Sequence, residues 1–149
     1  MSRDLALLSA SDLARAIRSG AATTRQAVED NLARIEALNA KLNAFIALDA
    51  THARAAADLA DSQARRGRFH GPLHGVPLAH KDMYYRAGRI ATCGSTLRRD
   101  WVATTTATAL RRLDDAGALD LGTLNMVEFA FGPTGHNWCV GHARNAWNP

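Results

Sequence analysis

Residues 104–122, TTTATALRRLDDAGALDLG, constrain the fold more than any other stretch of this 149-residue chain. The threonines supply a helix cap, ALRRLDDA is a short helical pattern, Gly117 permits the left-handed residue that ends a helix, and ALDLG is a brief apolar run. Helix, glycine stop and strand in immediate succession are what an α/β layer architecture produces. Residues 76–82 of GVPLAHKDM are also short, mostly apolar and preceded by a glycine, so they read as a second buried strand. Pro77 has no N–H to donate, which puts it at the beginning of that strand or on a sheet edge.

The first seventy residues are helical in pattern. Ser11 is the expected N-cap of DLARAIRSG, with Leu13 and Ile17 on one face and Gly20 as the stop. Thr23 and Gln26 form a capping box ahead of a longer helix whose stripe runs Val28, Leu32, Ile35 and Asn39, widened by Leu38. NAFIAL, residues 43–48, reads as a short extended link, and Asp49 caps a third, alanine-rich helix to about Arg66. One helical turn is expected around residues 126–129, then a long loop region. Phe129, Phe131, Trp138 and Trp147 lie there, and apolar side chains in a loop need something to pack on. The expectation is part of a single domain: residues 1–70 mainly helical, residues 71–149 the start of an α/β core, the remainder absent. Such a piece, isolated, is expected to aggregate or fold loosely.

A net charge of +4 and a pI of 9.7 raise the question of nucleic acid. The arginines, however, are spread from Arg3 to Arg144 among carboxylates, with local groups at Arg65-Arg66-Arg68 and Arg98-Arg99. A binding surface needs clustering as well as excess, and no nucleic-acid motif is recognisable. No run is long and apolar enough to cross a bilayer, and Asp4 and Asp12 bracket a stretch too short and polar for a signal peptide, so a cytoplasmic protein is expected. Cys93 and Cys139 lack CxxC spacing and are expected as free thiols.

Lys81 is one of two lysines among 18 basic residues, at the end of an apolar stretch. On a strand, Pro77, Ala79 and Lys81 share one face, and Val76, Leu78, His80 and Asp82 the other, so Asp82 is not its obvious ion-pair partner. Partial burial without a carboxylate partner lowers a lysine pKa and makes the neutral amine available as a general base. Ligand sites of α/β sheets lie beyond the carboxyl ends of strands, which suits that role. A lysine snorkelling from a strand end is the structural alternative. His70, His74, His80, His136 and His142, with Glu128, form a competing set. Gly71 and Pro72 make a helix between His70 and His74 improbable, and no dense metal-ligand motif is present. FAFGPTGHN, residues 129–137, is not a P-loop; it is a plain loop, or Phe129, Ala130 and Phe131 wall an apolar pocket.

GPLHGVPLAHKDM, TCGS, ALRRLDDAGALDLGTLNMVEFAFGPTGHN and RNAWNP, in that order, resemble the N-terminal part of the amidase signature family. The resemblance runs from Gly71 to Pro149, and the helical start is compatible with it. It implies an α/β amidase signature fold, with a mixed sheet flanked by helices and a helical N-terminal third, only partly encoded here. It also implies a Ser-cis-Ser-Lys hydrolase of carboxamides. Lys81 matches the family's lysine, which with one serine beside a cis peptide bond deprotonates a second serine that attacks the amide. Ala130, Phe131 and Gly132 align with the substrate-pocket wall. No cofactor and no metal are implied. Both family serines belong to a glycine- and serine-rich segment that follows a motif like RNAWNP. Neither Ser95 nor the earlier serines fall in it, so the chain is expected to be inactive alone. Departures from the pattern are His80, where a small aliphatic residue is commoner, Thr123, where lysine is frequent, and Ala146, where proline is usual.

The expected substrate is a small-molecule amide, with no membrane partner, no nucleic acid outside one case, and a homodimer left open. That case is the rival within the family, the glutamine-hydrolysing component of a tRNA-dependent amidotransferase. The rivals of other classes are a non-catalytic interaction module built on the helical third, and a metal-binding enzyme.

Overall fold

A computed structural model describes residues 4–148; Arg3 and Pro149, the last residue of the RNAWNP block, lie outside the described residues. The elements run α1 (Ala10–Ser19), α2 (Thr24–Leu42), β1 (Phe45–Leu48), α3 (Ala50–Arg65), β2 (Pro77–Lys81), α4 (Thr108–Asp115) and β3 (Leu119–Leu124). Short 3-10 turns occupy Leu5–Leu7, Thr96–Arg98 and Glu128–Ala130. Among the described residues no helix is long and apolar enough to cross a membrane.

The helix boundaries follow local chemistry. The N-cap of α1 is Ser9 rather than the expected Ser11: its Oγ accepts the Asp12 N–H at 3.1 Å and donates to the Asp12 carboxylate at 2.7 Å. That reciprocal pair satisfies an end donor that Ser11, already inside the helix, does not reach. Gly20 ends α1 in the left-handed conformation, φ 77°. At α2 the capping box forms in both directions, Gln26 N–H to Thr23 Oγ1 at 3.0 Å and Thr23 N–H to Gln26 Oε1 at 2.9 Å. Asp49 caps α3 by accepting the His52 N–H. The expected stripe of α2 is buried at Val28 and Leu32, but Leu38 is exposed. Asn39 belongs to the helix end instead, exchanging hydrogen bonds of 3.0 and 2.7 Å with the backbone of Phe45.

NAFIAL is a strand and not a link. Phe45–Leu48 pairs antiparallel with β3, with Ala47 opposite Thr123, Leu48 opposite Gly122 and a register shift after Phe45. Four residues carry too little alternation to announce themselves, and it is the neighbouring strand that satisfies their backbone. The sheet order is β1-β3-β2. Leu119 N–H donates to Val76 C=O and Asp82 N–H to Leu124 C=O. Both bonds advance in the same chain direction, so β2 and β3 are parallel and the sheet is mixed. Pro77 begins β2 on a sheet edge, where its missing donor is not needed.

The chain divides into two compact units, each drawing on early and late sequence. The first comprises the residues through Ala37, Asp49–Leu78 and Arg112–Leu121. Leu13, Ile17, Ala27 and Val76 are buried together, with Leu5, Leu8, Ala14 and Leu73 packed against them. Ala53 and Ala57 of α3 are fully buried, and Asp61, also buried, accepts the Thr24 and Arg25 N–H groups at 2.7 and 3.1 Å at the start of α2. The second unit comprises Leu38–Leu48, Ala79–Arg111 and the residues from Gly122 onward. Its buried apolar residues are few and mostly small, Ala91, Cys93, Ala103, Leu110 and Met126, and it buries His80, Asp82, Ser95 and Asn137 as well.

Candidate active site

Several of the segments that carry the sequence resemblance meet in one polar network of the second unit. At the end of β2, alternation turns His80 inward and leaves Lys81 exposed. The partial burial expected of a lysine base is therefore not provided by the described residues. Lys81 is the last residue of an edge strand, where cover on one side is missing.

Asp82, only 2 % exposed, does not serve Lys81. Its Oδ1 accepts the Thr92 N–H at 3.2 Å, and its Oδ2 accepts the Gly94 N–H at 3.0 Å and the Thr92 hydroxyl. The TCGS segment wraps the carboxylate, with Cys93 at φ 53° and Gly94 at φ 69°. This left-handed turn aims neighbouring N–H groups at one anion, in the manner of a nest. The Cys93 thiol in turn accepts from Arg98, whose guanidinium lies 3.7 Å from the Trp101 ring centroid and donates to the Tyr85 hydroxyl at 2.9 Å. That hydrogen bond to Tyr85 is the main cause holding Arg98 above its usual range. Cys93 and Cys139 are both free thiols.

Ser95 is buried, and its hydroxyl donates to Glu128 while accepting the Leu97 N–H. Asn137, 1 % exposed, uses its whole amide: Nδ2 donates to the carbonyls of Gly94 and Met126 at 2.7 and 2.6 Å, and Oδ1 accepts from Cys139 and Val140 at 2.7 and 3.0 Å. Two donors and two acceptors are all an asparagine side chain offers, so this one is saturated. Asn125 adds bonds from its Nδ2 to the carbonyls of Asn43 and Gly141. The network thus ties the end of β2, TCGS, the segment after β3 and GHN together through buried side chains and backbone.

Phe129 and Ala130 are left-handed, at φ 48° and 60°, in the turn that Glu128 opens. The Phe129 N–H donates to the Cys93 carbonyl at 2.8 Å. Ala130, Phe131 and Gly132 are exposed, Phe131 at 94 %, so they wall no enclosed pocket among the described residues. The roles of Asp82, Thr92, Ser95 and Asn137 in this network are not legible in the sequence, and Glu128 stands there only beside the histidines. Short polar residues next to glycines, in TCGS and GHN, are the one signal of it.

The histidines do not gather into one set, although the His136 and His142 rings lie 5.0 Å apart. In the first unit His74 Nδ1 accepts the His70 N–H at 3.0 Å, which leaves its Nε2–H to donate to the Ala60 carbonyl at 3.1 Å. His142 Nδ1 accepts the Asn137 N–H at 2.9 Å. No group of three or more His, Cys, Asp or Glu able to hold a metal ion occurs among the described residues.

Known proteins are similar to this chain over nearly its whole length. The glutamyl-tRNA(Gln) amidotransferase A subunit of Halorhodospira halophila is 42 % identical over 137 residues, 92 % of this chain and 28 % of its own length. A crystal structure of an amidase superposes with a TM-score of 0.88 at 35 % identity, over 95 % of this chain and 32 % of its own. Native peptide amidase from Stenotrophomonas maltophilia gives 0.84 at 32 % identity, over 94 % and 30 %. This chain therefore spans 28 to 30 % of the length of the curated relatives it matches. The profile of the family described as Amidase matches residues 26–149, which include the whole polar network and Lys81: the chain belongs to the amidase signature family.

Proposed function

We propose that these residues carry Lys81, the general base of a carboxamide hydrolase, within a longer amidase domain. The observation that supports this most is the place of Lys81. It ends a strand of an α/β sheet, where ligands of such sheets bind, and the next residue anchors a buried network. In the family's chemistry the neutral lysine takes a proton through one serine from a second serine. That serine attacks the amide carbonyl, backbone N–H groups stabilise the oxyanion, an amine or ammonia leaves, and water releases the acid. Both serines would come from segments beyond these residues, and those segments would supply the cover that Lys81 lacks here. Ala130, Phe131 and Gly132 would face a small-molecule amide.

The test is Lys81→Ala in the full-length protein. Turnover of a simple aryl or alkyl amide should fall by about 10²–10⁴-fold with unfolding unchanged; turnover equal to wild type overturns the assignment. The 42 % identity to an amidotransferase component supports a second reading, glutamine hydrolysis within a larger complex. Co-purification with partner proteins, and glutamine hydrolysis exceeding that of simple amides, would establish it in place of the free-standing amidase.

A further inference from the structure

Two consecutive non-glycine residues, Phe129 and Ala130, are left-handed, in a turn closed by the Phe131 N–H to Glu128 carbonyl bond at 3.0 Å, and one such bond does not offset the steric cost that a Cβ carries there. Such backbone persists only where its surroundings over-determine it, and it recurs at sites that present groups to a ligand. Here the constraints can be traced. Glu128, immediately before the pair, is half-buried and its carboxylate accepts the hydroxyl proton of Ser95 in a hydrogen bond. Ser95 is 1 % exposed and its Oγ also accepts the Leu97 N–H, so it cannot move without breaking its own turn. The adjoining Gly94 is clamped from one side by the Asp82 carboxylate and from the other by the Asn137 amide. Phe129 N–H is held by the carbonyl of Cys93, one residue further back. The left-handed pair is thus fastened at two points to TCGS, and TCGS is fastened to the residue beside Lys81.

We propose that Ser95 and Glu128 are positioning residues, which fix the backbone of residues 129–132 for binding the substrate and take no part in proton transfer. The proposal rests on the hydrolase reading for its substrate. The bond is intramolecular, buried at its serine end, and connects no exposed hydroxyl to a base. Its loss leaves Lys81 and Asp82 untouched and frees the strained turn to relax. The expected signature is weaker substrate binding with the chemical step preserved.

The experiment uses the full-length enzyme with Glu128→Ala, Glu128→Gln, Ser95→Ala and the double Ser95→Ala/Glu128→Ala variant. Glu128→Ala and Ser95→Ala should each raise KM by roughly tenfold with kcat within about threefold of wild type. The double variant should be no worse than Ser95→Ala, which already removes the shared bond together with the acceptor of the Leu97 N–H. Glu128→Gln keeps a carbonyl acceptor for the Ser95 hydroxyl and should restore KM. Independently of activity, amide hydrogen exchange in residues 129–132 should accelerate in both alanine variants and not in Glu128→Gln. Unchanged KM, a fall in kcat alone, additive effects, or unchanged exchange in Ser95→Ala would each overturn the proposal. Should Glu128→Ala not fold, Ser95→Ala and Glu128→Gln carry the same comparison. Should Lys81→Ala leave turnover intact, the hydrolase reading fails separately, and the exchange measurement still decides the positioning role.

Discussion

Each of the two units of this chain is held together by its own means. The first is built of helices whose ends are tied by their own neighbours, Ser9 with Asp12 and Thr23 with Gln26, and whose core is a repeat of Leu, Ile, Val and Ala. The second is mostly irregular backbone organised around buried polar side chains, Asp82, Ser95 and Asn137. Each unit also contains a buried aspartate that accepts backbone N–H groups, and the contrast is sharpest there. Asp61 finishes a helix that is already formed by local bonds. Asp82 gathers a loop that forms neither helix nor strand and whose backbone closes on itself through the Ser95 N–H to Thr92 carbonyl bond at 3.1 Å. In a helix the buried carboxylate supplements a pattern; in the loop it is most of the pattern. Polar interiors of this second kind are costly to leave half-satisfied, which makes them rigid supports for a site.

That contrast can be broken most directly at the two aspartates. Asp82→Ala takes the acceptor from the Thr92 N–H and hydroxyl and leaves the Gly94 N–H with Thr92 Oγ1 alone, and should destabilise the second unit by about 3 kcal/mol, whereas Asp61→Ala should cost about 1–2 kcal/mol. Urea unfolding of the two variants, followed by fluorescence of Trp101, Trp138 and Trp147, all in the second unit, and by helical circular dichroism, separates the effects. Equal losses in both signals would show that the two carboxylates do the same job.

A smaller effect is expected at two glycines. Gly94 and Gly20 are both left-handed, at φ 69° and 77°, yet an added Cβ would meet Asn137 Nδ2 at 2.6 Å in the first case and nothing within 4 Å in the second. Gly20→Ala should therefore cost only the conformational term, about 1 kcal/mol, and Gly94→Ala about 2 kcal/mol or more because the Asn137 contacts must also shift. Midpoints of chemical unfolding at constant m-value test this, and a reversed order would discredit the tightness ascribed to the loop.

The smallest effect concerns pH and belongs to the first unit. Glu29 accepts from Arg54 at 2.8 and 2.9 Å and from Arg25 at 2.8 Å, and these bonds, Arg54 foremost, hold its carboxyl down from 4.5 to about 2. A folded-state pKa below the unfolded value contributes stability that is fully present above pH 4.5 and is lost as pH falls toward 2. The cluster is partly open to solvent, so the contribution is modest. Glu29→Gln should remove that part of the acid slope, visible as a wild-type minus variant difference that shrinks below pH 4.5. A difference constant through acid would mean the arginines do not hold this carboxyl.

The first unit is largely legible in the string because its information is local. A capping pair spans three residues and a helical stripe repeats every three or four, so Thr23, Gln26, Gly20 and Asp49 can be placed from their neighbours. The cap expected at Ser11 and found at Ser9, and the exposed Leu38, show the limit, since two serines two apart look alike and burial depends on the neighbouring element. β1 escapes because a four-residue strand is defined by the strand beside it. In the second unit the motifs are visible and their physics is not. TCGS and GHN stand out as familiar blocks, but nothing in the string says that Asp82 reaches Thr92 and Gly94, or that Asn137 spans two carbonyls 43 and 11 residues away.

By itself, then, the sequence determined the α/β class, most helix limits, the strand that carries Lys81 and membership of a hydrolase family, because periodicity, caps and motif order are properties of neighbouring residues. Only the tertiary structure decided which polar groups are buried together, that Asp82 serves the loop instead of Lys81, and that Phe129 and Ala130 are held in a conformation they would not choose. Those facts depend on hydrogen bonds between residues far apart in the chain, whose partners are fixed by folding and leave no periodic trace.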